Sequence, residues 1–149
     1  MFAVNTIALW AAQIRAGGVV RGPYAASAWA PIHERDLAGV GARALLTDEL
    51  VGQRPVLSDP QSVTQEEMVA TIGDTLGRRL RYQEIPPEAA KQSLVEHGFP
   101  EPFAAAFLSL QAKAAGQPAL TTSEVEKILS RPALTFAEWA TDHAAAFRN

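Results

Sequence analysis

The stretch WAPIHERDLAGVGARALL, residues 29–46, decides how the chain is read. It contains Gly39-x-Gly41-x-x-Ala44, the relaxed form of a dinucleotide-binding fingerprint. Such a loop has to leave the middle of a parallel sheet, so a buried apolar strand must end at its first glycine. Here Glu34, Arg35 and Asp36 stand in succession just before Leu37-Ala38 and Gly39. Three adjacent charges do not fit a strand buried on both faces. Asp59 follows Gly39 by twenty residues, where a ribose-binding acid would belong, but the strand and loop it would serve are missing. Leu37, Val40, Ala44 and Leu45 instead form one apolar stripe, which reads as a helix from Asp36 to Leu46 with an acidic first turn. The small residues at 38, 39, 41, 42 and 44 are expected to pack closely against a neighbour, with structural glycines among them.

Outward from this helix, the periodicities alternate between helical and extended. Phe2 to Arg15 carries Val4, Ile7, Ala8, Ala11 and Ile14 at helical spacing, with Gly17-Gly18 expected as a left-handed stop. VVRGPYA and WAPI read as short extended segments, and RPVLSDP (54–60) as a strand closed by proline. Thr64 and Glu67 form a capping box ahead of a helix that buries Met68, Val69, Ile72 and Leu76 and ends at Gly77. RLRYQEI (79–85) alternates as a half-exposed strand, and Pro86-Pro87 opens a helix that ends at Gly98. Phe103, Phe107, Leu110 and Ala114 mark the next helix, which ends near Gly116. Thr121 caps a short one with Val125, Ile128 and Leu129. Thr135 and Glu138 cap the last, which carries Phe136, Trp139, Ala140, His143 and Phe147. The reading is one α+β domain over residues 1–149, helix-rich, with three or four short strands.

Composition bounds the function. The 149 residues are 48% hydrophobic and 19% charged, with a net charge of −3, so the chain folds and gives no electrostatic case for nucleic-acid or membrane-surface binding. It has no cysteine, which excludes disulfides and thiolate chemistry. The apolar opening lacks a basic start and a cleavage site, and no run reaches transmembrane length, so a soluble cytoplasmic protein is expected. His33, His97 and His143 are not at metal-ligand spacing, and no G-x-S-x-G elbow is present. His143 reads as a satisfied core histidine, and Arg78, Arg79 and Arg81 as a solvated strand edge. The aromatics are mostly core, although Trp10 and Trp29 are also suited to a pocket wall.

The order of five segments carries a resemblance. They are FAVNTIALWAAQIRAG, VVRGPYA, PIHERDLAGVGARALL, RPVLSDPQSVTQEEMVATIGDTLGRRLRYQEIP and SRPALTFAEWATDHAAAF. Together, over Phe2 to Phe147, the chain resembles the C-terminal half of the NmrA-like atypical short-chain dehydrogenase/reductase family. Ser58-Asp59-Pro60 stands where that family has Thr-Gly-Pro, and Ser130 replaces a glycine before Arg131-Pro132. The resemblance implies the substrate-binding half of a Rossmann-type, NAD(P)-dependent oxidoreductase, without the glycine-rich half that holds the dinucleotide. It implies that Asn5, Trp10, Tyr24, Trp29 and His33 face a substrate pocket that Phe103 and Phe107 cover. The ligand is then a small apolar or aromatic molecule, with His33 and Tyr24 the candidates for proton transfer. Asp36 matches the family's acidic helix start and is read as a helix-terminus charge.

NAD(P)H binding is expected only when a Rossmann-type partner or an N-terminal half completes the chain. The alternative is a free-standing ligand-binding protein, or a non-redox cyclase, isomerase or lyase that kept the pocket. A protein-binding regulator follows from the resemblance alone. Without the other half, the faces Val4/Ile7/Ala11/Ile14 and Val40/Ala44 are expected to be partly uncovered, so a homodimer or a complex with a Rossmann-type chain is expected.

Overall fold

Two short sheets separate the helices. The computed structural model describes residues Met1 to Arg148. Helix α1 (Asn5–Ala16) leads into β1 (Val19–Gly22) and β2 (Ala28–Trp29), and α2 (Glu34–Leu46) follows. Next come β3 (Val63–Thr64), α3 (Gln65–Leu76), β4 (Arg81–Glu84), α4 (Pro87–Glu96) and α5 (Glu101–Ala114). The chain ends on α6 (Glu124–Leu129), α7 (Phe136–Asp142) and a 3-10 turn (Ala144–Phe147). β1 pairs with β4 in parallel, with Val20 opposite Tyr82, and β2 pairs with β3 antiparallel. This is the helix-rich α+β arrangement expected from the sequence.

The local chemistry explains most boundaries. Thr64 and Thr135 both form complete capping boxes with Glu67 and Glu138. Gly77 ends α3 in the left-handed conformation (φ +64°). Gly17 does not stop α1 that way: its φ is −179°, extended backbone that carries the chain straight toward β1. Ser130 has φ +53°, so the position where the resembled family has glycine requires left-handed backbone here too.

Three other expectations are corrected. RPVLSDP is not a strand: Pro55 and Pro60 have no N–H, and the segment bonds outside any ladder. The Val56 carbonyl accepts from Thr122 Oγ1, and Asp59 N donates to the Ala30 carbonyl. The same contacts hold Thr122, so α6 enters at Ser123 without a side-chain cap, and Thr121 caps nothing. The two apolar faces are partly uncovered, as expected: Ala11, Ile14 and Val40 are buried, Ile7 is half-buried, and Val4 and Ala44 are exposed, as are Leu45, Leu46 and Val51 beyond them. Of the small residues on α2, Gly39 alone meets a close neighbour, Leu129, while positions 38, 41, 42 and 44 are exposed.

The core is one cluster. Ile14 and Trp10 of α1 and Val20 of β1 meet Met68 and Ile72 of α3, and Trp139 of α7 and Phe147 close it. Each such side chain contributes about 1.5–3 kcal/mol on full burial. α1 is therefore clamped on its inner face, and Ala8, Leu9, Ala12 and Gln13 beside Trp10 are left to line a cavity. No helix among the described residues is long and apolar enough to cross a membrane.

Candidate functional site

A cavity of about 270 Å³ lies between α1, the β1–β4 pair and the α4–α5 hairpin. Ala8, Leu9, Ala12 and Gln13 form its α1 wall, and Gly22, Pro23 and Tyr82 its sheet wall. Leu94, Phe99, Phe107 and Leu108 close it from the hairpin. The wall is mostly apolar, with a few polar groups, the composition of a small-molecule site. Gly22 is required: a side chain there would run into Tyr82, whose hydroxyl donates to the Pro23 carbonyl at 2.9 Å. Burial and the charge of Glu84 hold the Tyr82 phenol well above its ordinary pKa, so it stays protonated and serves as a fixed donor. Arg21 and His97 are the other ionisable groups in the wall, and no carboxylate lines it.

An aromatic ladder forms the outer wall. Phe99 stacks on Phe103 at 5.3 Å, Phe103 on Phe107 at 5.8 Å, and Phe107 on Trp29 at 6.5 Å, with ring planes within 22° of one another. Phe103 and Phe107 are one helical turn apart on α5, so their rings face the same way. Trp29, on β2, supports Phe107 from behind.

The expected site residues are only partly brought together. Trp10 and Phe107 line the cavity, and Trp29 and Phe103 reach it through the ladder. Asn5 is exposed at the start of α1, in helical register with Ala8 and Leu9, so it lies one turn beyond the cavity wall. Tyr24 is outside the lining; it holds a left-handed φ of +51° in the turn after β1. That turn is tied down, because the Tyr24 carbonyl accepts from Gln65 Nε2 at 2.9 Å. Tyr24 thus carries stored backbone strain.

His33 is in a different environment. It is 1% exposed and N-caps α2, its Nδ1 accepting from Arg35 N at 3.1 Å. The proton then sits on Nε2, which comes within 3.4 Å of Asp142 but is poorly aligned for a hydrogen bond. Around it, His143 pairs with Glu34 at 2.7 Å, Trp139 Nε1 donates to Glu34, and Arg35 pairs with Asp142, whose pKa it lowers. Asp36 is also more than a helix-terminus charge. Fully buried, it accepts from Leu134 N at 2.7 Å and faces Arg131 at 2.7 Å. These groups fasten α2 to α7 and to the segment before it, and none of them lines the cavity.

Gly39 and Gly41 lie inside α2, their backbone groups committed to the helix. The residues of the fingerprint stretch therefore do not fit a pyrophosphate, which needs free N–H groups at a loop and helix start.

The sequence reading missed Gln13, Gln65, Tyr82 and Gln111. Gln65 was hidden in the capping box, where it occupies the first helical position. Gln111 continues the line of Phe103 and Phe107 by one more turn, and a polar residue in an aromatic stripe is the signal that marks it.

No protein-family model matches the chain. It is 36% identical over 147 residues to a (4-alkanoyl-5-oxo-2,5-dihydrofuran-3-yl)methyl phosphate reductase of Streptomyces griseus, covering 98% of this chain and 51% of that protein. It is 35% identical over the same length to an NAD(P)H azoreductase of Xenophilus azovorans, again covering 98% and 51%. Among solved structures, an NADPH-dependent quinone oxidoreductase of Escherichia coli superposes with a TM-score of 0.79 at 20% identity, over 95% of this chain and 52% of that one. A triphenylmethane reductase of Citrobacter sp., solved with NADP(H), gives 0.75 at 19% identity, over 97% and 50%. The chain spans about half the length of the curated reductases it matches, and its fold is that of the C-terminal half of Rossmann-type reductases.

Proposed function

We propose that this chain is the substrate-binding portion of an NmrA-like, NAD(P)-dependent oxidoreductase acting on a small apolar or aromatic molecule. The observation that carries the reading is the cavity, whose walls of Trp10, Leu108 and Phe107 suit a flat apolar ligand. Its glutamines and the protonated Tyr82 hydroxyl orient a ligand. Dinucleotide binding falls to a Rossmann-type half, supplied on the same or another chain. The isolated parallel pair β1–β4 supports that arrangement, because parallel strands are found in larger sheets covered on both faces. His33 is a capping and packing residue on this reading, and Asn5 marks the end of the cavity that the other half closes.

The test uses the 149-residue chain with two additions. 2-Amino-1,4-naphthoquinone, a flat neutral quinone that carries an N–H donor, should quench tryptophan fluorescence saturably at micromolar concentrations, and Phe107→Ala should weaken that binding severalfold with the fold retained by circular dichroism. NADPH titrated calorimetrically into the same chain should give no saturable heat. Absence of quinone binding refutes the cavity as the substrate site. Saturable NADPH binding refutes the division between two halves.

A further inference from the structure

Two buried glutamines meet at the back of the cavity. Gln65 is 3% exposed, and its Nε2 donates to the Pro23 carbonyl at 2.8 Å and the Tyr24 carbonyl at 2.9 Å. Both amide protons are used, which fixes its orientation and leaves Oε1 to accept. Gln111 Nε2 reaches that oxygen at 3.4 Å, so the orientation of Gln111 follows from that of Gln65. Gln111 is itself 3% exposed and lines the cavity, and its Oε1 has no hydrogen-bond partner. A buried acceptor without a partner is costly, and a bound molecule that brings a donor removes the cost.

We propose that Gln111 is a specificity-determining residue of this cavity, with Oε1 accepting a hydrogen bond from a neutral donor on a flat aromatic ligand. The inference rests on the reading of the cavity as the substrate site. It makes the preferred ligands hydroxylated or N–H-bearing aromatics rather than isosteric hydrocarbons. The relay from the strained Tyr24 turn through Gln65 holds the acceptor in place, and the ring of Phe107, one turn earlier on α5, provides the apolar surface beside it. A site built to accept a hydrogen bond rejects the analogue that lacks the donor, because the site's polar group is then left unpaired.

The test is a matched pair of probes, 2-naphthol and 2-methylnaphthalene, which differ by a hydroxyl in place of a methyl. Dissociation constants are measured by reverse calorimetric titration with the full chain, its Gln111→Leu variant and its Gln111→Met variant. Wild type should bind 2-naphthol at least as tightly as the methyl analogue, despite the greater apolar surface of the latter. In both variants the ratio of the two constants should move about tenfold toward 2-methylnaphthalene, the size expected for one buried hydrogen bond. An unchanged ratio in a folded variant overturns the proposal and leaves the cavity reading intact. If neither variant folds, the wild-type ratio decides, and a tenfold preference for 2-methylnaphthalene overturns the proposal. Failure of both probes to bind wild type overturns the cavity reading and the proposal with it.

Discussion

The two glycines of the fingerprint stretch make a paired test of the helix assignment, because their surroundings differ. Gly41 is the eighth of the thirteen residues of α2, and a Cβ built on it meets nothing within 4 Å. Alanine in a helix interior is favoured over glycine by about 0.8–1.0 kcal/mol. Gly41→Ala should therefore stabilise the chain by close to that amount, a rise of about 2–4 °C in melting temperature for a domain of this size. Gly39→Ala gains the same propensity, but its Cβ would sit 3.0 Å from Leu129 Cδ1 and 3.4 Å from Cδ2. Leu129 has to move off its rotamer, at about 0.5–1.5 kcal/mol, so the net effect should be near zero or slightly unfavourable. Adding Leu129→Ala removes the obstruction, and in that background Gly39→Ala should recover the full gain. Thermal and urea unfolding followed by circular dichroism read all of these. A fingerprint glycine would show the opposite sign at both positions. A loss of 1 kcal/mol or more from Gly41→Ala would refute the assignment of this stretch to a helix interior.

Gly73→Ala is expected to destabilise by about 1–3 kcal/mol in urea unfolding, because its Cβ would lie 2.7 Å from the Arg78 carbonyl oxygen and 3.1 Å from Leu80 N, and backbone cannot step aside as a leucine can. Asp36→Ala should cost about 2–4 kcal/mol, since Leu134 N and Arg131 both lose their buried partner; a helix-terminus charge alone would cost below 1 kcal/mol. Burial raises the pKa of Asp59 from 3.8 to about 6, so the fold favours its protonated form. Its stabilising contribution is complete below about pH 4 and is lost as the pH rises through 6. Asp59→Asn, which keeps the oxygen that accepts from Gln61 N, should therefore gain about 1–2 kcal/mol over wild type at pH 7 and nothing at pH 4; equal differences at the two pH values would refute the assignment.

Much of the fold was legible because its boundaries rest on local chemistry. The capping boxes at Thr64 and Thr135 and the left-handed Gly77 depend on residues within one helical turn, and sequence displays such neighbours directly. The failures came where a distant partner decides. RPVLSDP has the composition of a strand, but its hydrogen-bond partners are Thr122 and Ala30, and neither supplies a ladder. The site follows the same division. Trp10 was accessible as an aromatic suited to a pocket wall and Phe107 as one at helical spacing, whereas Gln65 and Gln111 gain meaning only because α3 and α5 bring them together across 46 positions. His33 was attractive as a titratable group near aromatics; that it caps α2 beneath Asp142, 109 positions away in sequence, is a tertiary fact.

The edge of β1 limits how a second half can complete the sheet. In a parallel pair, backbone groups of alternate residues point to opposite edges. Arg81 N donates to the Gly18 carbonyl and Ile85 N to the Gly22 carbonyl, so the even-numbered residues of β1 face β4 and Val19 and Arg21 face away. The side chain of Gln13 already occupies Arg21 on that outer edge. Its Oε1 accepts from Arg21 N at 2.8 Å, and its Nε2 donates to the Arg21 carbonyl at 3.3 Å, the two bonds a neighbouring strand would make. Val19 is then the position of β1 left for a further strand. Gln13 also lines the cavity, so the side chain that closes the outer edge of β1 at Arg21 is the one that begins the wall of the pocket.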